Sequence, residues 1–314
     1  MLPPLQAAVV FPCDRESLQV ATSGAFAGYL NPTLVGPEAR IRDVAAKAGL
    51  DISRLQLVDT ADEPRAAGVR AAELARDGHV SALVKGSLSN EELLAPVVAP
   101  DSGLRTERRL SHAYFLDMPG QHRGLLLADA HMNVTPNLAA KRDIVQNTVQ
   151  LAVALGLTAP NVALLAAMDG PAPAFRSTTD AVALKAMAAQ GMFRGALVDG
   201  PLAPDSALSA EAARARGVKS EISGRVDVLI GPSMESALMV MRTLQALSDG
   251  LVAGIVLGAR IPIVVPTRYD TMEVRMASCV LAALMMASGN DAVAAKADVA
   301  AGSLAADTGT RAAA

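Results

Sequence analysis

The chain has 314 residues, a formal net charge of -3 and an aromatic share of 3% without tryptophan. Those values argue against a nucleic-acid binder, which needs a clustered basic face and stacking platforms, and the length exceeds what one compact core usually takes, so two lobes are expected. Mean hydropathy is +0.31, yet "LVAGIVLGARIPIVVP" is broken by Arg260 and prolines and "MASCVLAALMMAS" is short, so no stretch approaches the roughly 20 apolar residues of a spanning helix.

Short apolar runs alternate with longer Ala/Leu/Arg/Glu segments from the start. "AAVVFP" (7–12) reads as a buried strand and "DRESLQVATSGAFAGY" (14–29) as the helix after it. "PTLVGP" is a second strand, and "EARIRDVAAKAGL" a helix ended by Gly49. "LQLVDT" is strand-like, and "EPRAAGVRAAELARDG" is helical with Pro64 early, where proline is tolerated. "VSALVKG", "LSHAYFLDMPG", "GLLLADA", "NVALLAA", "RGALVDGP", "RVDVLIGP" and "IPIVVP" continue the strand series. Runs apolar on both faces, separated by helices, predict an α/β fold with a mostly parallel sheet covered by helices. The stretch from about Gly302 has few large apolar residues and reads as a poorly ordered tail. The start lacks the basic region of a signal peptide, and a cytoplasmic protein is expected.

Several predicted strands end in loops of Gly, Pro, Asp, Ser or Lys: "VKGSLSN", "MDGPAPAFRSTTD", "VDGPLAPDS", "IGPSMES" and "VPTRYDT". In open α/β sheets ligands bind beyond the carboxyl ends of strands, and helix starts favour anions. In "VPTRYDTMEV", Asp270 and Glu273 have capping-box spacing, so one reading is that both acids only start a helix, with Asp270 as its N-cap. Arg268 resists that reading, because a helix start favours an acid over a cation. A bound anion offsets the repulsion, the Thr267 hydroxyl suits the same ligand, and phosphate is the natural candidate. Lys85 likewise follows a strand and faces a Gly–Ser loop, although an isolated loop lysine is more often merely solvated. Arg105, Arg108 and Arg109 read either as a surface face or as a clamp on an anionic cofactor. His112, His122 and His131 share no metal-ligand spacing, Cys13 and Cys279 are too few for a zinc site or a disulfide framework, and no metal is expected.

Taken in order, "PTLVGPEARIRDVAAKAGLDI", "ALVKGSLSNEELL", "LLLADAHMNVTPNLAAKRDIVQNTVQLAVALG", "VDGPLAPDSALSAEAARARGVKSEISGRVDVLIGPSMES" and "VAGIVLGARIPIVVPTRYDTMEVRMASCVLAAL" resemble the phosphate acyltransferase family, which includes phosphotransacetylase and phosphotransbutyrylase. The likeness runs from about residue 8 to 288, and "DGPLAPDSALS" leans towards the butyryl branch. It implies a two-domain fold like that of isocitrate and isopropylmalate dehydrogenases, with 1–136 plus 258–314 as one domain, 137–257 as the other, and the active site between them. It implies reversible acyl transfer between coenzyme A and inorganic phosphate through a ternary complex, with acyl phosphate as product and no resident cofactor. A homodimer is expected on other grounds: closed pairs are the commonest oligomers, and the apolar helix 276–286 has more hydrophobic surface than one face can bury.

The resemblance also assigns roles. The family's Ser-Arg pair falls on Thr267 and Arg268, its downstream acid on or beside Glu273, and Asp270 matches an acid of the butyryl branch. Glu273 or Asp270 then removes the thiol proton, while Arg268 and Thr267 stabilise the developing charge. Substrate-binding candidates are Lys85, Gly86, Ser87, Asp129, Gly200, Pro201, Ser223 and Gly224. The sequence departs from the family at Thr267, where serine is usual, at "ESAL" (235–238), and at Ala95, where an arginine is expected. The alternatives are a non-catalytic acyl-CoA-sensing module and a dehydrogenase of the same fold, the latter needing a metal-binding acid set and a nucleotide loop that the sequence does not display.

Overall fold

Runs of Val, Ile, Leu and Ala bounded by Gly, Pro and Asp form the strands, and the Ala/Leu/Arg/Glu stretches between them form the helices. The computed structural model describes residues 3–119 and 123–288. In chain order the elements are β1 (Leu5–Val10), α1 (Arg15–Phe26), β2 (Leu30–Gly36), α2 (Glu38–Ala48), β3 (Gln56–Asp59), α3 (Pro64–Arg76), β4 (Ala82–Lys85) and α4 (Asn90–Val98). Next come β5 (Ser111–Asp117), β6 (Leu125–Ala128), α5 (Leu138–Ala154), β7 (Asn161–Leu165), α6 (Arg176–Ala189), β8 (Leu197–Leu202), α7 (Pro204–Leu208) and α8 (Ala210–Ala215). The series closes with β9 (Val228–Ile230), α9 (Met234–Leu247), β10 (Leu251–Leu257), β11 (Ile263–Val264) and α10, helical over 272–288. His122 and the tail expected from about Gly302 lie outside the described residues.

The strands form one sheet in the order β3-β2-β1-β4-β11-β10-β5-β6-β9-β7-β8. The expected parallel pairing holds within two blocks, β3-β2-β1-β4-β11 and β6-β9-β7-β8. Between them β11–β10, β10–β5 and β5–β6 are antiparallel, so the two blocks run in opposite directions. Short links explain this: residues between β10 and β11, and between β5 and β6, are too few for the crossover a parallel pair needs. β10, from the 137–257 segment, lies between β11 and β5 of the other segment, so the two predicted segments share a sheet and interlock.

Side chains alternate between faces. One face carries a continuous apolar layer, from Ala7 and Val9 of β1 through Ala253 and Ile255 of β10 to Leu126 and Val162, closed by α5 and by Cys279, Leu281 and Ala282 of α10. The opposite face is divided: Ala8, Val10, Leu83 and Val256 pack with α3 and α4, whereas Leu116, Leu127, Leu165 and Val252 pack with α7 and α9. The seam between these clusters falls on β10 and β5.

Candidate active site

The end of β4 is held against the end of β1. Gly86 donates its N–H to the Val10 carbonyl (2.9 Å), and a Cβ there would lie 2.5 Å from that oxygen, so only glycine fits. Ser87 hydrogen-bonds to Asp14, whose carboxylate also caps α1 through the Ser17 N–H at 2.6 Å. Ser89 and Glu92 form a reciprocal capping box that starts α4, an arrangement that stabilises a helix start by about 1 kcal/mol. Lys85 is half-buried and donates to the Leu88 carbonyl at 3.0 Å.

After β11 the chain makes a closed loop. The Asp270 carboxylate accepts the Thr267 N–H and the Thr267 hydroxyl, each at 2.7 Å. Arg275 reaches back from the first turn of α10 to the carbonyls of Thr267 (2.8 Å) and Asp270 (3.1 Å). The predicted cap is therefore corrected. Thr271 caps α10 through the Val274 N–H at 3.3 Å, because both Asp270 oxygens are engaged by Thr267.

These loops face each other across a cleft of about 690 Å³ lined by Asp14, Lys85, Gly86, Ser87, Thr267, Arg268 and Arg275, with α4's first residues at its wall. Arg268 is exposed and forms no ion pair among the described residues. Burial, then the Arg275 and Arg268 charges, hold the Lys85 ammonium below its ordinary pKa against the opposing pull of Asp14. Burial acts to raise the Asp14 pKa, but hydrogen bonds from Ser87 and Ser17 and the Arg275 charge outweigh it and keep the carboxyl ionised. Of the acids on the lining, Asp14 and Glu92 are occupied by their caps, and Glu16, exposed in the first turn of α1, forms no ion pair with the cations among the described residues. Three cations from two loops thus converge with part of their charge uncompensated, the condition that favours an anion.

The cleft gathers five of the predicted site residues: Lys85, Gly86, Ser87, Thr267 and Arg268. Asp270 stands behind Thr267 and shapes its loop. Glu273 is exposed and absent from the lining. Asp129 is buried and accepts the N–H groups of His112, His131, Met132 and Asn133 at 3.0–3.1 Å, which engages its carboxylate inside the protein. Gly200 and Pro201 lie in β8 at the far edge of the sheet, and Ser223 and Gly224 follow α8, Gly224 donating to the Ala207 carbonyl. Sequence reasoning missed Arg275 and Asp14. Arg275 carried a signal close to that of Arg268, a cation at the start of a helix, whereas Asp14 looked like an ordinary cap. A second cleft of about 510 Å³ is lined by Arg105, Arg108 and Arg109 with Met132 and Asn133. Among the described residues, no group of three or more His, Cys, Asp or Glu side chains converges as a metal set, and no helix is long and apolar enough to cross a membrane.

Residues 65–283 match the family model described as "Phosphate acetyl/butaryl transferase". The chain is 44% identical over 279 residues to the phosphate acetyltransferase of Rhizobium meliloti, covering 89% of this chain and 88% of that one. It is 34% identical over 278 residues to the phosphate butyryltransferase of Clostridium acetobutylicum, covering 88% and 92%. In fold it resembles a branched-chain phosphotransacylase from Enterococcus faecalis V583, with a TM-score of 0.78 at 24% identity over 90% of this chain and 98% of that one.

Proposed function

This chain belongs to the phosphate acetyl/butyryl transferase family and is an acyltransferase, and on that premise we propose that it moves an acyl group between coenzyme A and inorganic phosphate in the cleft between the 85–92 and 266–275 loops. The observation that carries the placement is the convergence of Lys85, Arg268 and Arg275 on one cleft with no ion pair, among the described residues, to its acids Asp14, Glu16 and Glu92. Phosphate, or the phosphoryl end of an acyl phosphate, sits among these cations and at the start of α4, where Asn90 lines the cleft and a helix N-terminus favours an anion.

Thr267 has one hydroxyl hydrogen, and it is donated to Asp270. Its role is therefore to orient the loop that presents Arg268, and Arg268 and Lys85 stabilise the charge that develops on the transferring group. Gly86 and Ser87 supply the close approach, while Gly200, Pro201, Ser223 and Gly224 belong to the same site only if the second block supplies the acyl pocket. The two-lobe division at 1–136 plus 258–314 and 137–257 is part of this reading. So are a cytoplasmic location and a homodimer, motivated by α10, whose Met276, Met285 and Met286 are only partly buried by their own chain. Sedimentation at micromolar concentration reads the assembly, and a monomer there overturns the dimer.

The activity test is thiol release from acetyl-CoA and butyryl-CoA with and without phosphate. Phosphate-dependent release is expected with both. Release that ignores phosphate overturns the reading, and absence of release with binding of acyl-CoA intact leaves a sensing module in its place.

A further inference from the structure

The acyl-transfer cleft leaves Arg105, Arg108 and Arg109 without a role, and they lie at the other end of the sheet. β11 runs parallel to β4, β10 antiparallel to β11, and β5 antiparallel to β10. The chain therefore enters β5 beside the end of β10, opposite the ends of β4 and β11. β10 and β11 pair there at a single position, Val256 with Ile263. Helix α4 joins the two ends: Asn90 in its first turn lines the acyl-transfer cleft, and Val97 and Val98 in its last turn line the second cleft. A helix of that length spans about 13 Å, so the two clefts are separate places.

The backbone that presents the arginines is fixed. The Arg109 N–H donates to Asp143 at 3.1 Å, and the Asn147 side-chain amide donates to the Arg109 carbonyl at 3.0 Å. Asn133 donates likewise to the Leu110 carbonyl at 2.9 Å. The Thr106 hydroxyl donates to the Gly258 carbonyl and accepts the Arg108 N–H at 3.1 Å. Gly258 has φ 98°, and a Cβ there would lie 2.4 Å from the Arg109 carbonyl oxygen, so only glycine lets the segment close against the end of β10.

The side chains, by contrast, keep their charge. Arg105, Arg108 and Arg109 form no ion pair among the described residues. Half-buried Arg108 donates to a neutral acceptor, the Gln150 side-chain oxygen, at 2.7 Å. The neighbouring acid is consumed: one Asp143 oxygen takes the Arg109 N–H and the other takes Arg142 at 2.8 Å. Glu107 lines the cleft but is exposed and pairs with none of the three among the described residues. Burial holds Arg108 below its ordinary pKa, with Asp143 opposing, as expected of a cation short of countercharge. Val98, Leu110, Met132 and Ala259 give the same cleft an apolar wall.

We propose that this cleft is a second anion site, which takes an organic polyphosphate of the nucleoside diphosphate class. The guanidinium forks hold the phosphate oxygens, a geometry that arginine matches in pairs of hydrogen bonds, and the apolar wall receives the organic part. Bare phosphate leaves that wall unused, and a volume of about 510 Å³ lies in the range of small-molecule sites. A free nucleotide and the diphosphate end of coenzyme A share this chemistry. The site is assigned to the free molecule because it stands a helix length from the cleft in which the acyl group moves.

Isothermal titration of the full chain with ADP tests this, with coenzyme A at saturation to fill the acyl-transfer cleft. Wild type is expected to bind one ADP per chain. Arg108→Gln, which still donates to Gln150, and Arg109→Gln should each weaken binding about tenfold, the scale for one charge-assisted hydrogen bond. Arg268→Gln, in the other cleft, should stay within about twofold. Pyrophosphate should bind about tenfold more weakly than ADP, because it buries no apolar surface. Steady-state kinetics of Arg108→Gln should leave the KM for coenzyme A within about twofold. No ADP binding by about 1 mM, arginine variants that bind like wild type, or pyrophosphate equal to ADP each overturns the proposal. So does a KM for coenzyme A raised about tenfold, which would make these arginines part of the substrate's own site. Wild type without phosphate-dependent turnover sinks the acyl-transfer reading alone, since ADP binding is read directly.

Discussion

The loops that follow the strands of the two parallel blocks share a vocabulary of Gly, Pro, Ser and Asp and use it in opposite ways. Beyond β7 and β8 the charges are matched within the protein. Asp169 accepts the Ala203 N–H at 2.8 Å and the Ser206 hydroxyl at 2.9 Å and lies 3.5 Å from Arg216. Asp199 is held by Lys185 at 2.5 Å, Ser220 at 2.6 Å and the Gly200 N–H at 2.8 Å. Beyond β4 and β11, Arg268 has no ion pair among the described residues and Lys85 meets only a carbonyl. Composition alone does not distinguish a binding loop from a structural one. What distinguishes them is whether the carboxylates nearby are left to neutralise the cations or are consumed by caps and turns.

The sharpest way to break this comparison is to remove one cation from each region. Arg268→Ala is expected to lower kcat by roughly 100- to 1000-fold, the scale for losing one preorganised charge stabiliser, while Arg216→Ala stays within about twofold because its partners are internal. Steady-state kinetics on both variants settles it, and equal effects would sink the distinction. Next in size is Gly200→Ala. Gly200 has φ 151° and an added Cβ would lie 2.7 Å from Leu164, so a loss of about 1–3 kcal/mol of stability is expected from the strain, read by denaturant unfolding. The KM for phosphate should not move. A rise above about threefold would bring the β8 loop into the site, since that pattern marks lost ground-state binding.

The smallest effect sharpens the comparison at one group. Asp270→Asn retains an acceptor for the Thr267 N–H but replaces the carboxylate that holds both the Thr267 N–H and hydroxyl. The loop that presents Arg268 is then less firmly held, and the KM for phosphate is expected to rise about threefold with kcat little changed, the pattern of lost ground-state binding. An unchanged KM would show that the Asp270 contact does not position Arg268.

Much of the fold was legible because a parallel strand buried on both faces reads as an unbroken apolar run. β3, β4, β7 and β9 fall inside the runs that sequence reading selected, and β1, β2 and β8 overlap theirs. β11 lies within the selected run "IPIVVP", whereas β10, just before it in "LVAGIVLGARIPIVVP", was not selected as a strand. At the site, Thr267, Arg268 and Lys85 could be picked out by a local rule, a cation where an acid is expected. The cap at Asp270 was misread because Asp270 and Thr271 are both able to cap the helix, and only geometry shows that Asp270 turns back to the Thr267 N–H and leaves the Val274 N–H to Thr271. The contact of the Tyr114 hydroxyl with His131 was invisible for a different reason: the two are 17 positions apart and meet only through the β5–β6 hairpin.

The single register pair between β10 and β11, against seven between β10 and β5, has a mechanical side. A sheet resists shear in proportion to the backbone bonds that cross each junction, and this junction is the compliant one beside the cleft. Tension between the β4–β11 side and the rest of the sheet is therefore borne by side chains, by Ser278 on Gly254 and by Arg275 on the Thr267–Asp270 loop. The Gly254–Ser278 bond is buried, so that load is carried where neither solvent nor ligand reaches it.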